Sequence, residues 1–234
     1  MRYLVFDSGP IISLALNNLL WVLNELKKHY KGKFIIPPEV KREVVEIPLQ
    51  IRRYKFEAFQ VLELLSEGVL SLFETENLVS ESEEALELAN TIYYTKGHPI
   101  KILQRGETQA LILAKQLRAD AIVVDERTTR MLVEQPEGLK HVLSSKLHSR
   151  VELNKNNLAR FNELAGGIRV IRSVELVTVA YELGILDRYL QGVDEPLLKN
   201  PRREMLEASL WGLKLKGATV SQKEIEQILK LERV

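Results

Sequence analysis

Two aspartates follow short apolar runs that predict buried strands. Asp7 comes directly after residues 3–6 and Asp125 directly after residues 121–124. Continuous apolar runs of this length are typical of strands that are covered on both faces of a parallel sheet. Ligand sites in open α/β sheets form at the carboxyl ends of such strands. We therefore expect the two carboxylates to share one site, although either aspartate could instead cap the helix that follows it.

Two glutamates lie on predicted helices elsewhere in the chain, one after the apolar run 34–36 and one just before the strand predicted at 121–124. Glu43 borders the apolar stripe of the helix predicted after Pro38, and Glu107 falls in the first turn of a later helix, within the arc of its apolar face. Taken alone, Glu43 is typical of a partly exposed surface acid, and Glu107 of a residue that complements the helix dipole. Their inward placement also suits a site shared with the two aspartates.

Gathering these carboxylates in one place has a predictable electrostatic consequence. Without basic residues to neutralise them they repel one another and raise one another's pKa, which destabilises the fold. A hard divalent cation relieves this repulsion, and oxygen ligands suit Mg²⁺ or Mn²⁺. The chain contains no cysteine, which excludes disulfides, thiolate zinc sites and cysteine nucleophiles. The predicted cation ligands are Asp7, Glu43, Glu107 and Asp125.

The elements that must position these residues alternate between strand and helix. Strands are predicted at residues 3–6, 34–36, 121–124 and 168–171, with helices between them, and residues 68–73 could add another strand. This alternation predicts an α/β fold with a parallel central sheet flanked by helices. We expect one domain, residues 1–234, with its core at about 1–47, 101–130 and 166–190, helical insertions at about 48–100 and 131–165, and a helical tail at 191–234.

The composition is that of an ordinary globular chain. Of 234 residues, 45% are apolar and 28% charged, and the net charge of +1 neither indicates nor excludes a nucleic-acid partner. No apolar run approaches the roughly 18 residues of a membrane span. Asp7 interrupts the N-terminal apolar stretch too early for a signal peptide. We therefore expect a cytoplasmic protein with no membrane association.

Four segments of the chain resemble the signature motifs of the PIN-domain family. In order along the chain they are FDSGPII at residues 6–12, IPPEVKREV at 36–44, RGETQALILA at 105–114 and VVDERTTR at 123–130. The closest resemblance is to the prokaryotic, often archaeal, VapC-like group, in which a Gly-Glu pair opens the third motif's helix. Each motif alone has low specificity, and their order and coherent placement carry the resemblance.

The resemblance implies a Rossmann-like PIN fold and a Mg²⁺- or Mn²⁺-dependent ribonuclease that cleaves RNA phosphodiester bonds. Such a protein would act as a toxin or as an RNA-processing nuclease. Its partners would be an RNA substrate, a second copy of the chain in a homodimer and, for a toxin, an antitoxin protein. The catalytic, metal-binding positions implied are Asp7, Glu43, Glu107 and Asp125.

Four further residues are expected to assist this site. Ser8 could orient an acid or a metal-bound water, and Glu126 stands where the family usually has a second aspartate. Arg127 and Arg130 could hold the phosphate backbone of RNA, or could simply lie on a solvated helix face. The substitution at Glu126 bears on the substrate class more than on metal binding.

Two other classes of function stay open. One is a module that keeps the fold and binds RNA or a protein partner without cleaving it. The other is a phosphoacceptor or aspartyl phosphatase that uses Asp7 as its nucleophile. Those enzymes normally carry another aspartate two residues further on, where this chain has Gly9.

Overall fold

A five-stranded parallel sheet forms the centre of the computed structural model, which describes residues 1–193 and 195–232. The strands in chain order are β1 (Tyr3–Phe6), β2 (Lys33–Ile36), β3 (Leu70–Leu72), β4 (Tyr93–Thr95), β5 (His98–Pro99), β6 (Ala121–Val123), β7 (Val151–Leu153) and β8 (Val170–Ile171). The central order is β3-β2-β1-β6-β8, and every neighbouring pair is parallel. The predicted α/β fold with a parallel sheet is confirmed.

Helices cover both faces of this sheet. They are α1 (Ser8–Leu16), α2 (Val22–His29), α3 (Pro38–Lys41), α4 (Ile47–Gln50), α5 (Lys55–Ser66), α6 (Leu78–Ala89), α7 (Arg105–Gln116), α8 (Arg127–Glu134), α9 (Pro136–Leu147), α10 (Lys155–Ala165), α11 (Ser173–Glu182), α12 (Pro201–Leu215) and α13 (Gln222–Leu231). A π-helical segment, Arg42–Glu46, joins α3 to α4, and 3₁₀ turns lie at Arg52–Tyr54 and Ile185–Tyr189.

The apolar runs of β1 and β2 supply two cores because successive side chains of a strand point to opposite faces. Leu4 and Phe6 of β1 belong to one buried cluster, together with Phe34 of β2. Val5 and Ile35 belong to a second cluster on the other face. An unbroken apolar run is therefore what a strand covered on both faces requires.

Strands also lie in the segments expected to be helical insertions, and one of them, β3, lies within residues 68–73, where a further strand was predicted as possible. β3 pairs with β2 and extends the central sheet, while β4, β5 and β7 form a separate antiparallel sheet. The β4–β5 hairpin turns through Lys96 and Gly97, which both have positive φ, at 49° and 79°. Two consecutive left-handed residues are the conformation that two-residue hairpin turns favour.

The C-terminal helices pack onto the same core as β1 and β2. Leu206 and Leu213 of α12 and Ile225 and Leu229 of α13 are buried in that cluster. The tail is helical as predicted, and of its range 191–234 residues 194, 233 and 234 lie outside the described part. Within 1–193 and 195–232, no helix is both long and apolar enough to cross a membrane.

Candidate functional site

Asp7 and Asp125 meet at the carboxyl edge of the central sheet. Phe6 of β1 is in register with Val123 of β6, and the Asp7 N–H donates to the Val123 carbonyl at 3.0 Å. A Cβ at Gly9 would lie 3.5 Å from Oδ2 of Asp7 and 3.7 Å from Cβ of Asp125. The sheet therefore places the two aspartates next to each other, with the start of α1 against both.

Glu43 approaches this edge from the π-helical segment. A Cβ at Gly106 would lie only 2.8 Å from each carboxylate oxygen of Glu43, so the missing side chain lets α7 begin directly against that carboxylate. Glu107 is the next residue of α7. π-helical turns recur at functional sites, and this one carries a predicted site residue.

The acidic side chains line a common cavity of about 600 Å³, which we call the acid cavity. The rest of its wall comes from Ser8 and Gly9 of the β1–α1 turn and from residues 101–104, which precede α7. The carboxylates on the wall are those of Asp7, Glu43, Glu107 and Glu126. Glu126 thus lines the cavity itself, and Asp125 lies behind the wall.

Burial makes the charged form of these acids costly. Burial and, after it, the negative charges of Glu107 and Glu43 together raise the pKa of Asp7 to about 8, although hydrogen bonds from the Ser8 and Gly9 N–H groups lower it. Burial also raises the pKa of Glu43 and of Glu107, while a hydrogen bond from Ser8 opposes the shift at Glu43. Oδ1 of Asp7 is buried without a hydrogen-bond partner. The carboxylates of the acid cavity are therefore costly to ionise, and Asp7 has one oxygen that no donor among the described residues reaches.

Both carboxylate oxygens of Asp125 accept hydrogen bonds from Ser173, which is far away in the sequence. Its Oδ1 accepts from the Ser173 N–H at 2.8 Å, and its Oδ2 accepts from the Ser173 hydroxyl at 2.7 Å. Burial raises the pKa of Asp125, and both Ser173 hydrogen bonds lower it. Asp125 therefore fastens the end of β6 to the start of α11 directly behind Asp7.

The capping interpretation holds for Asp7 and the helix-start role holds for Glu107, but Asp125 does not cap α8, whose N-cap is Glu126. Oδ2 of Asp7 accepts from the Gly9 N–H at 3.4 Å as the N-cap of α1. Oε2 of Glu107 accepts from the Gln104 N–H at 2.8 Å in a capping box, and its Oε1 accepts from the Thr129 hydroxyl at 2.6 Å. Capping fixes these carboxylates at helix starts, which is where they line the cavity.

The predicted arginines line a different cavity. Arg127 and Arg130 lie on the wall of a space of about 450 Å³ beside α8, the arginine-lined cavity, which is also lined by Arg172 and by the glutamates Glu134, Glu175 and Glu224. Arg172 is paired with Glu175 and with Glu224, the latter at 2.8 Å. The guanidinium groups of Arg127 and Arg130 make no hydrogen bond or ion pair within residues 1–193 and 195–232.

The sequence reasoning missed three residues at or beside the site. Ser173 and Thr129 donate to two of the carboxylates. Ser173 lies outside every motif, and Thr129 lies within the fourth motif but was assigned no role there. Lys101 lines the acid cavity from the start of the segment that leads into α7. A basic residue five positions before a Gly-Glu pair is too common a pattern to have indicated this.

The chemistry of the acid cavity fits a hard cation. Among the described residues, no three acidic or histidine side chains are already gathered as a metal-ligand cluster. The unpartnered Asp7 oxygen and the raised pKa values are nevertheless what a bound cation would relieve, and an all-oxygen donor set suits Mg²⁺ or Mn²⁺. Of the four predicted ligands, Asp7, Glu43 and Glu107 line the cavity and could hold it. Asp125 does not line the cavity, and both its oxygens accept from Ser173, so its place as a ligand stays a prediction.

Comparison with known families agrees with this architecture. A family model described as PIN domain matches residues 3–141. The chain belongs to the PIN-domain family. This match confirms the family resemblance drawn from the motifs. PIN domains form a nuclease superfamily that is generally metal-dependent. A comparison with curated proteins gives no match. The match contains the four predicted metal-binding positions and ends before Ser173 and the C-terminal helices.

Proposed function

We propose that this PIN-domain protein is a Mg²⁺- or Mn²⁺-dependent endoribonuclease that acts at the acid cavity. The observation that carries the proposal is the convergence of Asp7, Glu43 and Glu107 on one cavity, in which an Asp7 oxygen is buried without a partner. Such a concentration of buried carboxylates is unfavourable unless a cation binds there. Family membership supports nuclease chemistry at the same place.

Each residue of the site has a distinct part in this proposal. When bound, the divalent cation supplies a water of lowered pKa and offsets charge on the scissile phosphate. Asp7, Glu43 and Glu107 hold the cation, and Ser8 orients the Glu43 carboxylate. Asp125 acts from behind, because its hydrogen bonds to Ser173 fix the turn that carries Glu126 to the cavity.

The arginine-lined cavity offers Arg127 and Arg130 to the phosphate backbone of RNA, because two of its three glutamates, Glu175 and Glu224, are paired with Arg172. Arg127 directly follows Glu126 of the acid cavity, so the two cavities share the start of α8. The guanidinium groups of Arg127 and Arg130 have no acidic partner among the described residues and remain available to an anion. Phosphate contacts of this kind position a nucleic acid without reading its sequence.

The direct test is cleavage of labelled structured and unstructured RNA by the full chain with Mg²⁺, Mn²⁺ or excess EDTA. We expect internal cleavage with one of the metals, none in EDTA and none by Asp7→Asn. Asp187→Asn is the matched control, since Asp187 pairs with Arg202 and does not line the cavity. Full activity of Asp7→Asn, or equal activity in EDTA, would remove the nuclease proposal.

The finer points of the family resemblance remain predictions. They are membership of the toxin-type group, a homodimer, an antitoxin partner and a cytoplasmic setting. RNA binding without cleavage of any substrate would favour the non-cleaving module instead. A phosphatase mechanism has no support here, because Gly9 occupies the position where a second aspartate is needed.

A further inference from the structure

One basic side chain lies on the wall of the acid cavity. Among the described residues that line it, four carry carboxylates and Lys101 alone carries a positive charge. Lys101 also lines a neighbouring cavity of about 610 Å³ beside α6 and α10, so it stands where the two spaces meet. Its side chain is exposed and can reach a molecule that enters from solvent.

The backbone on both sides of Lys101 is fixed. The Ile100 N–H donates to the Tyr93 carbonyl of β4 at 2.8 Å. On the other side, Oδ1 of Asn90 accepts from the N–H groups of Ile102 at 2.6 Å and Leu103 at 3.0 Å. A fixed backbone holds the base of the Lys101 side chain at one place on the cavity wall.

The ammonium group of Lys101 is not used by the fold. It forms no hydrogen bond or ion pair with any residue in the described ranges. Other lysines of the chain are committed, as Lys115 is to the Gly166 carbonyl and Lys41 to Glu46. An unpaired cation at the mouth of an acidic cavity opposes the repulsion that the carboxylates exert on an approaching polyanion.

We propose that Lys101 is a substrate-binding residue that contacts a backbone phosphate of single-stranded RNA where the strand enters the acid cavity. This deepens the proposed function and rests on it. The contact is separate from the arginine-lined cavity beside α8, and the two together would hold the strand at two points. The role assigned to Lys101 is attraction of the phosphate and not proton transfer.

The test is the affinity of the full chain for a fluorescent single-stranded RNA at a series of KCl concentrations, in EDTA so that no turnover occurs. Each phosphate contact contributes about 0.7 to the slope of log affinity against log salt for a single strand. We expect Lys101→Ala to lower that slope by about 0.7 and to weaken binding about fivefold. Lys101→Arg should restore both values.

Lys96→Ala is the matched control, because Lys96 is exposed on the nearby hairpin turn and does not line the cavity. In cleavage assays Lys101→Ala should raise KM and leave kcat unchanged. A wild-type slope and affinity in Lys101→Ala would overturn the proposal even if the wild-type chain cuts RNA. If Lys101→Ala lowers the salt slope but the wild-type chain never cuts RNA, the phosphate contact of Lys101 is supported and the nuclease function is contradicted.

Discussion

Asp7 combines a structural role with an electrostatic cost. Its carboxylate caps α1 through Gly9, and it is also buried beside Glu43 and Glu107. The pKa of this carboxyl rises from 3.8 to about 8, so the folded chain holds a proton there that the unfolded chain releases near pH 4. Folding stability is linked to that difference in proton binding.

We expect the metal-free protein to lose stability as the pH rises from about 4 to about 8. The pKa of Asp7 is higher in the folded state than in the unfolded state. Its contribution to folding stability is therefore fully present below the unfolded-state pKa and is lost as the pH rises through the folded-state pKa. Asp7 contributes a slope of at most about 1.4 kcal/mol per pH unit. Asp7→Asn should remove this contribution and be the more stable protein at pH 8, as measured by urea unfolding in EDTA. Parallel pH profiles for the two proteins would contradict this account.

Gly106 provides a second test at the level of one residue. In Gly106→Ala the new methyl group would meet both Glu43 oxygens at 2.8 Å and displace that carboxylate. A flexible carboxylate can move at little cost and alanine favours helix, so stability should change by less than about 1 kcal/mol. Metal-dependent cleavage should fall about 100-fold, because a displaced site group costs that much.

Gly138→Ala is the control for this substitution. Gly138 is also helical, and its added methyl group would meet no atom closer than 3.4 Å, the Cε of Met131. It should keep full activity. Equal activity of the two alanine variants would show that the position of Glu43 does not matter to the reaction.

The hydrogen bonds between Asp125, after β6, and Ser173 of α11 connect the candidate site to an element far along the chain. Ser173 donates both its N–H and its hydroxyl to Asp125, and the adjoining Arg172 pairs with Glu224 of α13. The side chain that holds Asp125 therefore belongs to a region that also anchors the last helix. Substitutions at the start of α11 should therefore affect both the site and the packing of the C-terminal helices.

We expect Ser173→Ala to cost about 1–3 kcal/mol of stability, because it removes the hydroxyl that donates to Oδ2 of the buried Asp125 carboxylate. Activity should fall as well. Ser82→Ala is the matched control, since Ser82 is also buried but donates only to the Leu78 carbonyl of its own helix. Thermal unfolding and cleavage rates measure both effects. A Ser173→Ala protein that matches Ser82→Ala in both would contradict this role.

The sequence pattern was sufficient to predict those elements that depend only on neighbouring residues in the chain. The apolar runs of β1 and β6 indicated buried strands, and the acids after them indicated the edge where the cavity lies. The β4–β5 hairpin escaped prediction because its turn places Lys96, a residue with no preference for it, at positive φ. The engagement of Asp125 escaped it too, since that depends on Ser173, 48 residues away in the chain.

The α/β core and the C-terminal helices share one buried cluster. Ile225 of α13 is 1% exposed and packs in the same cluster as Phe6 of β1. The family match ends at residue 141, yet the core does not divide there. The whole chain should therefore unfold as one cooperative unit.

Single-tryptophan variants test this expectation. Trp21 precedes α2, and Trp211 lies on α12. In urea, the fluorescence of Trp21 and of Trp211 and the far-ultraviolet circular dichroism should give one midpoint. Ile225→Ala should lower the free energy of unfolding by about 2–5 kcal/mol and move all three signals together. A tail signal that unfolds first would contradict a shared core.

A calorimetric titration of the full chain with Mn²⁺ tests the central claim most directly. We predict that the wild-type protein binds Mn²⁺ with release of a proton, since Asp7 must give up the proton that burial keeps on it. Asp187→Asn should bind in the same way, and Asp7→Asn should not bind. Equal binding by Asp7→Asn, or none by the wild-type protein, would contradict the claim that these carboxylates form a cation site.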